Sequence, residues 1–367
     1  MKACILTSVH LRTDSRVFEK EATSLRKNGY EVTLICADGR PDEIKNGVNI
    51  ISVKKENNRI KRMLLSTDRV YKKALEINAD IYHIEDSELV NIGLKLVKHG
   101  YKVVYDIHED VVGSVYEKDW IPKLLKGLFS KLLERNEIKA ARKLSGVITA
   151  TPYLAEKYRL WGGKNVVDIG NYPIIENLSE PSLYADRTID AAYTGICLTK
   201  NRGAIQMAEA CKNARVHFNV YGELRPTTLK EEMLEVCPQD SISFHGIVPF
   251  SELQKTMSNV KIGFLIEHPT TNAMNALCIK MFEYMSHGIA IICSDIPLWK
   301  EIIDIHNCGI CVNPYDVNAI TDAIKFLTEN PEQAEKMGVN GYNAVMNIYS
   351  WEKEIEKLLN MYSSILE

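Results

Sequence analysis

The chain has 367 residues, of which 45 are Lys or Arg and 48 are Asp or Glu, with a formal net charge of −3 at pH 7. This length exceeds what one hydrophobic core usually covers, so we expect two domains. Apolar residues make up 46% of the chain and charged residues 25%, which is typical of a folded globular protein. A membrane-spanning helix needs about 18 consecutive apolar residues, and no run approaches that length.

The start of the chain and its cysteines bear on the compartment. The apolar part of Met1–Val9 is too short for a signal peptide, and we interpret it as a first strand. Nine cysteines, an odd number, favour a reducing environment over a disulfide framework. Cys308 and Cys311 have C-x-x-C spacing but lie in a strand-like run without a second pair, so we assign them no metal or redox role. We expect a cytoplasmic protein.

Positive charge is concentrated in the first half of the chain. Residues 1–170 hold 30 Lys or Arg and 23 Asp or Glu, a net charge of +7, whereas the remainder has a net charge of −10. Two segments carry the positive excess, Lys54–Lys73 and Trp120–Lys143. The second also has apolar side chains at helical spacing, which predicts an amphipathic helix.

Two interpretations of this amphipathic segment remain open. An interfacial helix on an anionic membrane has this pattern, and the protein would then lie peripherally on the inner face of that membrane. A surface helix packed on the core has the same pattern. Nucleic acid is not an expected partner, because no recognition motif accompanies the basic residues.

Short apolar runs alternate with helical patterns along the chain. In the first half we predict the strands Ala3–Val9, Glu31–Ala37, Val48–Val53, Ile81–Ile84, Lys102–Ile107 and Gly146–Ala150, with the helices Ser15–Asn28, Asp68–Asn78, Leu89–His99, Pro122–Lys143 and Pro152–Tyr158. In the second half we predict the strands Ile189–Thr194, Arg215–Tyr221, Ile242–Phe244, Lys261–Ile266, Ile289–Cys293 and Gly309–Val312, with the helices Gly203–Asn213, Thr227–Val236, Ser251–Met257, Ile279–His287, Val317–Thr328 and Glu332–Ile348.

This alternation predicts an α/β protein with two doubly wound parallel sheets, one in each half. The boundary falls near Gly170–Pro173, so the domains are predicted as residues 1–171 and 172–349. Ligands of such sheets bind at the carboxyl ends of the strands, and we expect a site in a cleft between the two domains.

The stretch Asn272–Asp295 is the most informative part of the chain. It is predicted to form a polar loop, a helix that stops at Gly288, and a buried strand. Lys280 and Glu283 share one face near the start of that helix. The N-terminus of a helix suits a phosphate, and a carboxylate one turn further in can accept hydrogen bonds from a ribose diol. An ordinary helix with a solvated Lys–Glu pair is the alternative.

This stretch resembles the nucleotide-binding signature of family 4 glycosyltransferases, which are retaining enzymes of the GT-B fold. Their pattern is Glu-x7-Glu followed by an aromatic or small residue, Met, two residues and Gly. Glu283 and Tyr284–Gly288 match the second half of the pattern, whereas Asn275 stands in place of the first Glu. The resemblance implies two Rossmann-like domains facing across a cleft and a nucleotide-diphosphate sugar as donor, with UDP as the commonest nucleotide.

Further segments are similar to the same family. The opening helix contains Asp14 and Arg16, and a later strand ends at His108 with Glu109 and Asp110. The loop that opens the second domain contains Gly195 and Arg202, with Ile196 where the family has an Arg, and Lys280 is expected to compensate. The resemblance also implies that the final helix, residues 350–367, returns to the first domain.

The resemblance assigns roles residue by residue. His108, Arg202 and Lys280 are expected to be catalytic, and Asp14, Arg16, Glu109 and Asp110 to lie on the acceptor side. Donor-binding residues are expected to be Gly195, Gly246, Val248, Asn275, Ala276, Leu277 and Glu283.

Several of these residues could have a structural role instead of a functional one. His108 could be a core or capping histidine, Asp14 a helix cap, and Arg16 a surface cation. Glu109 and Asp110 could be loop acids without a role.

We predict no cofactor and no required metal. The sequence has no His/Asp/Glu cluster with ligand spacing and no Asp-x-Asp motif, and Glu85–Glu88 is interpreted as an acidic loop. The charge of the diphosphate would instead be met by Arg202, Lys280 and helix N-termini.

The predicted function is the transfer of a sugar from a nucleotide sugar to a saccharide or lipid-linked saccharide acceptor, as in surface polysaccharide assembly. A non-hydrolysing nucleotide-sugar epimerase is a second possibility, since it also uses two Rossmann-like domains. A third is a non-catalytic binding protein, because Asn275 and Ile196 depart from the family pattern.

Overall fold

The protein is described from a computed structural model covering residues 1–117, 121–176 and 178–367. The chain divides into two compact units. The first comprises Met1–Asn171 together with Trp351–Glu367, and the second comprises Tyr172–Ser350.

The first unit is built on a sheet in which the described residues form eight strands. They are β1 Lys2–Leu6, β2 Glu31–Cys36, β3 Glu43–Lys45, β4 Val48–Ser52, β5 Ile81–Ile84, β6 Lys102–Ile107, β7 Gly146–Thr149 and β8 Val166–Asp168. Their order in the sheet is β3-β4-β2-β1-β5-β6-β7-β8. All neighbouring pairs are parallel except β3 with β4.

Helices connect and flank these strands. The α-helices are Thr23–Lys27, Arg59–Lys61, Thr67–Ile77, Val90–Lys98, Lys123–Lys143, Pro152–Leu160 and Trp351–Leu366. Ser15–Ala22 and Arg62–Ser66 are π-helical turns, and Ser87–Leu89 and Gly113–Glu117 are 3₁₀ turns. Every residue of β5 and β7 is buried, as expected of a parallel sheet with helices on both faces.

The C-terminal helix Trp351–Leu366 is part of the first unit. The Trp351 indole nitrogen donates to the Ser24 hydroxyl at 2.9 Å, and the Tyr362 hydroxyl lies 2.9 Å from Nδ1 of His83 on β5. The Glu354 carboxylate accepts a hydrogen bond from the Gly170 backbone N–H at 2.7 Å. These contacts join the helix to the opening helix, to the central strands and to the end of the segment that follows β8.

The second unit has a parallel sheet of six strands among the described residues. They are β9 Ile189–Leu198, β10 Phe218–Leu224, β11 Ile242–Gly246, β12 Val260–Leu265, β13 Ala290–Ser294 and β14 Gly309–Val312, in the order β11-β10-β9-β12-β13-β14. The α-helices are Ala204–Ala214, Leu229–Val236, Phe250–Met257, Thr271–Asn275, Ile279–Ser286, Pro297–His306, Val317–Glu329 and Pro331–Asn347, and Tyr184–Asp186 and Lys200–Arg202 are 3₁₀ turns.

The predicted fold class is therefore confirmed as α/β with two parallel-sheet units, although some local predictions were wrong. The first part of the polar loop expected between Asn272 and Ile279 is a short helix, Thr271–Asn275, because the Thr270 hydroxyl caps it by accepting from the Ala273 N–H. The strand expected from Arg215 begins at Phe218, because Arg215 ends the preceding helix with φ 58°.

In both sheets the strand order reverses beside the first strand of the unit. β1 lies between β2 and β5, and β9 lies between β10 and β12. At such a point the loops after the two neighbouring strands diverge and leave a crevice at their carboxyl ends, where ligands of doubly wound sheets bind. We therefore expect functional side chains in the segments that follow β1, β5, β9 and β12.

No helix within the described ranges combines the length and apolar character that crossing a membrane requires.

Candidate functional site

Arg202 lies just beyond the carboxyl end of β9, in the turn Lys200–Arg202. Gly203 follows with φ 65°, and a Cβ atom there would lie 2.3 Å from the Ile266 side chain. Only glycine fits, so the turn can enter the helix Ala204–Ala214 directly. The Arg202 guanidinium donates to the Cys197 carbonyl at 2.6 Å. Burial works to lower the pKa of Arg202, but Tyr193 and Glu267 raise it overall, so the side chain stays charged.

Lys280 brings a second cation to the same tyrosine. It lies in the first turn of the helix Ile279–Ser286, and its ammonium donates to the Tyr193 hydroxyl at 3.1 Å. The same nitrogen is 4.3 Å from the centre of the Tyr193 ring, within the range of a cation–π contact. Burial opposes the charged form, but Tyr193 outweighs it and the pKa of Lys280 is raised. Tyr193 thus accepts from Lys280, and Tyr193 and Arg202 both donate to the Cys197 carbonyl, which places the two cations beside the carboxyl end of β9.

Glu283 lies one turn further along the helix that carries Lys280, and it is partly buried. Tyr284, four residues after Lys280 and therefore on the same side of the helix, anchors the helix in the core. Its hydroxyl accepts from the Thr194 N–H at 3.0 Å and donates to the Phe264 carbonyl at 3.3 Å. These bonds tie the helix to β9 and β12. Lys280 and Glu283 are therefore held at a defined position relative to the carboxyl ends of both strands.

The loop before this helix is also fixed by specific contacts. The Asn275 amide donates to the Thr271 carbonyl at 3.0 Å, and the Trp299 indole donates to the Ala276 carbonyl at 2.8 Å. Leu277 is partly buried and packs against the core of the second unit. The three predicted donor-binding residues from Asn275 to Leu277 thus lead directly into the N-terminus of the helix.

Two of the predicted donor-binding residues are glycines within strands, because β9 runs through Gly195, which had been expected in a loop, and β11 ends at Gly246. A Cβ atom at Gly195 would lie 3.0 Å from the Tyr193 hydroxyl, the group that receives Lys280. Gly246 ends β11 with φ 67°, which favours glycine. Val248, two residues later, is partly buried against the same core as Leu277.

In the first unit, His108 follows β6 at the edge of a buried ionic cluster. Its side chain is 25% exposed, and its Nε2 lies 3.1 Å from an oxygen of the buried Glu85. The His10 ring, from the segment after β1, lies 4.9 Å from the His108 ring. Burial lowers the pKa of His108 to about 4, so the imidazole is neutral at pH 7.

The cluster beneath His108 consists of Glu21, His83, Glu85 and Asp106, and we call it the buried acidic cluster. One ligand-type atom from each residue lies within 4.8 Å of the others. Each residue also has a buried polar atom without a hydrogen-bond partner among the described residues. Sequence spacing did not reveal this cluster, because its members come from one helix and two different strands.

Arg16 supplies the positive charge of this cluster. It is 3% exposed, and its guanidinium lies 3.0 Å from a Glu21 oxygen and 2.7 Å from an Asp106 oxygen. A further guanidinium nitrogen donates to the Ile169 carbonyl at 3.1 Å. Arg16 was predicted to face the acceptor, but its charged group is committed to internal partners instead. Because this guanidinium already contacts two of the three carboxylates, we continue to predict that no metal is required.

The other residues predicted on the acceptor side have different surroundings. Asp14 is the N-cap of Ser15–Ala22 and accepts from the Arg16 and Val17 N–H groups. Asp110 is bound by the Lys157 ammonium at 2.8 Å and accepts from two backbone N–H groups of its own turn. Glu109 is exposed. Asp14 and Asp110 thus have clear structural roles.

Three residues that define these surroundings were not among the predicted site residues, namely Tyr193, Glu85 and His10. Glu85 had been included in an acidic loop, although it directly follows β5 and is buried. Its place after an apolar strand was the available signal. Tyr193 and His10 carried no comparable signal, because their importance depends on residues distant in sequence.

Comparison with known proteins bears on the fold and on the families that this chain resembles. The family described as Glycosyltransferase Family 4 matches residues 15–171, and Glycosyl transferases group 1 matches residues 198–344. The two matches together run through both units, and the fold is that of the GT-B glycosyltransferases. Sucrose-phosphate synthase from Thermosynechococcus elongatus shares this fold, with a TM-score of 0.80 and 15% identity over 99% of this chain and 98% of that one.

A second structure similar to this GT-B chain is Anabaena HepE in complex with UDP and glucose. Its TM-score is 0.74, with 12% identity over 99% of this chain and 100% of that one. A curated relative is the poly(ribitol-phosphate) alpha-N-acetylglucosaminyltransferase of Staphylococcus aureus, 24% identical over 249 residues. That match covers 65% of this chain and 48% of the relative, so the chain spans about half of the relative's length.

Proposed function

We propose that this protein transfers a sugar from a UDP-sugar to a hydroxyl group of a saccharide acceptor. The observation that carries the proposal is the pair of cations at Tyr193, with Glu283 one helical turn beyond Lys280. Both cations lie by the carboxyl end of β9, where a doubly wound sheet binds ligands. A diphosphate requires fixed positive charge and backbone N–H groups, and a ribose diol requires a carboxylate. In the second unit, Arg202 and Lys280 supply the positive charge, the N-terminus of the helix Ile279–Ser286 supplies backbone N–H groups, and Glu283 supplies the carboxylate.

The proposed chemistry is mainly electrostatic. As the bond between the sugar and the diphosphate breaks, negative charge develops on the leaving group. Arg202 and Lys280 are charged before the reaction starts, so they stabilise this charge without reorganisation. Lys280 would supply the charge that the family pattern places at the position of Ile196. Retention of the anomeric configuration is part of the proposal and is supported by the resemblance to retaining enzymes.

A lipid-linked saccharide at an anionic membrane is the acceptor we propose. The helix Lys123–Lys143 exposes apolar side chains to solvent, which argues against the interpretation of a helix packed fully on the core. The exposed apolar residues in it are Leu124, Leu125, Leu128, Phe129 and Leu132. Exposed lysines and arginines of the same helix alternate with them, including Lys123, Lys131, Arg135 and Lys139. Trp120, predicted as part of this surface, lies outside the described residues.

The other basic segment, Lys54–Lys73, also exposes both apolar and basic side chains. Ile60, Met63, Leu64 and Leu65 are exposed beside the exposed bases Lys54, Lys55, Arg59 and Lys61. Apolar side chains that insert between lipids, interleaved with cations that meet lipid phosphates, fit an anionic bilayer. The other cations of this segment are partly neutralised, for example Arg62 by Glu88 at 2.9 Å.

A nucleotide-binding screen tests the donor half of the proposal. We expect UDP and UDP-sugars to raise the melting temperature of the purified protein, because a ligand that binds the folded state stabilises it. Glu283→Ala should weaken that shift, whereas Glu301→Ala, an exposed glutamate of the same unit, should leave it unchanged. No shift with any nucleoside diphosphate, or equal shifts for both variants, would remove the assignment of the donor site.

The products that the protein forms from a nucleotide sugar distinguish the proposed transferase from two other functions. A non-hydrolysing epimerase would convert UDP-N-acetylglucosamine without any acceptor, and His108 with Glu109 would then supply the acid and base. A non-catalytic protein would bind the nucleotide sugar and leave it unchanged with every acceptor tried. The proposed transferase gives at most slow hydrolysis until an acceptor is added.

A further inference from the structure

The buried acidic cluster contains more negative charge than its one cation can neutralise. Glu21, Glu85 and Asp106 are all buried, and the Arg16 guanidinium pairs with Glu21 and Asp106. If all three carboxyls were ionised, a net charge of −2 would lie in a region of low dielectric, which is very unfavourable. Some of the carboxyls must therefore hold a proton in the folded protein.

The positions of the partners show which carboxyl remains ionised. Asp106 accepts two hydrogen bonds from Arg16, at 2.7 and 3.1 Å. Burial acts to raise the pKa of Asp106, but Arg16 outweighs it and lowers the pKa. Glu85 lies 3.1 Å from His108 and 3.5 Å from His83, and its third close side-chain contact is Glu21. Burial and the charge of Asp106 raise the pKa of Glu85 well above its usual range.

We propose that Glu85 is a positioning residue that stays protonated and donates its O–H to Nε2 of His108. That bond requires Nε2 to accept, so the proton of the neutral imidazole must lie on Nδ1. His108 would then present an N–H donor on the nitrogen that does not face Glu85. A donor is what a sugar oxygen or the departing phosphate needs.

The other oxygen of Glu85 is consistent with this assignment. It faces Nε2 of His83 at 3.5 Å, and Nδ1 of His83 lies 2.9 Å from the Tyr362 hydroxyl. If Tyr362 donates to Nδ1, then Nε2 of His83 carries its proton, and this oxygen of Glu85 is the carboxyl oxygen nearest to it, although the two atoms form no hydrogen bond in this structure. Through Tyr362, the C-terminal helix would therefore fix the tautomer of His83, the histidine next to Glu85.

This inference rests on the proposed function for its catalytic meaning, but its test does not. Histidine-selective ¹⁵N NMR at pH 7.5 reports which ring nitrogen carries the proton, and His108→Gln identifies the His108 signals. We expect a neutral His108 with its proton on Nδ1. A proton on Nε2, or an imidazolium, would overturn the proposal whatever reaction the protein catalyses.

Substitution of Glu85 gives an independent readout. Glu85→Gln keeps a carbonyl oxygen toward His83 and an N–H donor toward His108, so the His108 tautomer and most of kcat should be preserved. Glu85→Leu removes the donor, and kcat should fall by at least about tenfold with little change in the acceptor KM, since losing one aligned donor costs on the order of 100-fold. Equal damage in both variants would show that an ionised Glu85 is required.

Folding and metal content are checked on the same samples. If Glu85→Leu does not fold, the tautomer in Glu85→Gln and in the wild type still decides the question. Stoichiometric divalent metal in the purified protein would contradict the proposal, because the metal would occupy the place of the shared protons.

Discussion

At the residue scale, the central feature is the contact of Lys280 and Arg202 with Tyr193. Lys280 had been expected to compensate for the missing loop arginine on resemblance alone. The structure adds a physical basis, since its ammonium donates to the same tyrosine that raises the pKa of Arg202. Sequence could not reveal this contact, because Tyr193 and Lys280 are 87 positions apart.

Removing the Lys280 charge should slow turnover more than it weakens nucleotide binding. We expect Lys280→Met to lower kcat on the order of 100-fold, because it removes a charge that stabilises the departing diphosphate. Lys280→Arg should retain part of the activity. Lys300→Met, at an exposed lysine of the same unit, serves as the control, and its rate of UDP release during turnover should equal that of the wild type. Unchanged kcat in Lys280→Met would remove this residue from the mechanism.

Glu137 gives a prediction about stability and pH. It is buried, the Tyr158 hydroxyl donates to it at 2.5 Å, and burial raises its pKa from 4.5 to about 7 despite the bonds from Tyr158 and Tyr105. The folded state therefore holds this proton in a range where the unfolded state has lost it. The stability from this group is complete below pH 4.5 and is lost as the pH rises through about 7.

Glu137→Gln should remove that dependence. The free energy of unfolding of the variant, relative to that of the wild type, should be larger at pH 8 than at pH 5. Urea denaturation of both proteins at the two pH values measures the difference. A difference that does not vary with pH would mean that Glu137 titrates normally.

At the scale of elements, strands and helices with strong apolar patterns were predicted within a few residues. Ile81–Ile84, Lys102–Ile107 and Gly309–Val312 have the predicted bounds. The polar strand Glu43–Lys45 was missed, because it pairs at the edge of the sheet and has no buried face to create a pattern. The helix Pro297–His306 was also missed, although Pro297 stands at its first turn, where proline is favoured.

The opening helix offers a test that separates a cap from an acceptor contact. Asp14 accepts from two N–H groups at the start of Ser15–Ala22, so Asp14→Ala should lower the free energy of unfolding by about 1 kcal/mol. Asp14→Asn keeps an accepting oxygen and should be nearly as stable as wild type. If Asp14→Asn is stable but has a raised acceptor KM, then the residue also meets the acceptor, as the sequence predicted.

The helix Lys123–Lys143 should attach the protein to anionic membranes. We expect co-sedimentation with phosphatidylglycerol vesicles at low salt, weaker binding as salt rises, and little binding to phosphatidylcholine alone. The double variant Leu128→Glu, Phe129→Glu should lose this binding. Ile305→Glu, at an exposed apolar residue of the second unit, should keep it. Equal binding to neutral and anionic vesicles would exclude the proposed surface.

At the scale of the whole molecule, alternating strand and helix patterns were sufficient to predict two parallel-sheet units. The positions of the predicted site residues at strand ends follow from the same logic, as His108 after β6 and Arg202 after β9 show. What the sequence could not provide was the buried acidic cluster. Its members are separated by up to 85 positions, from Glu21 to Asp106, and only the parallel order of β5 and β6 beside the opening helix brings them together.

The C-terminal helix should be required for the stability of the first unit. Its residue Tyr362 is buried and contacts His83, and Trp351 is buried beside Ser24. Deleting residues 351–367 would expose the cluster and the apolar surface around it, so we expect the truncated protein to unfold at a clearly lower temperature or to be insoluble. A truncated protein with an unchanged melting temperature would contradict the role of this helix.

The central claim is transfer of a sugar from a UDP-sugar to an acceptor. The most direct measurement incubates the protein with UDP-sugars and saccharide or lipid-linked saccharide acceptors, and it quantifies free UDP and glycosylated acceptor together. We predict equal amounts of both products with at least one donor–acceptor pair, and strong loss of both in Lys280→Met. Formation of an epimerised nucleotide sugar without acceptor, or binding of UDP-sugars without any transfer, would contradict the account.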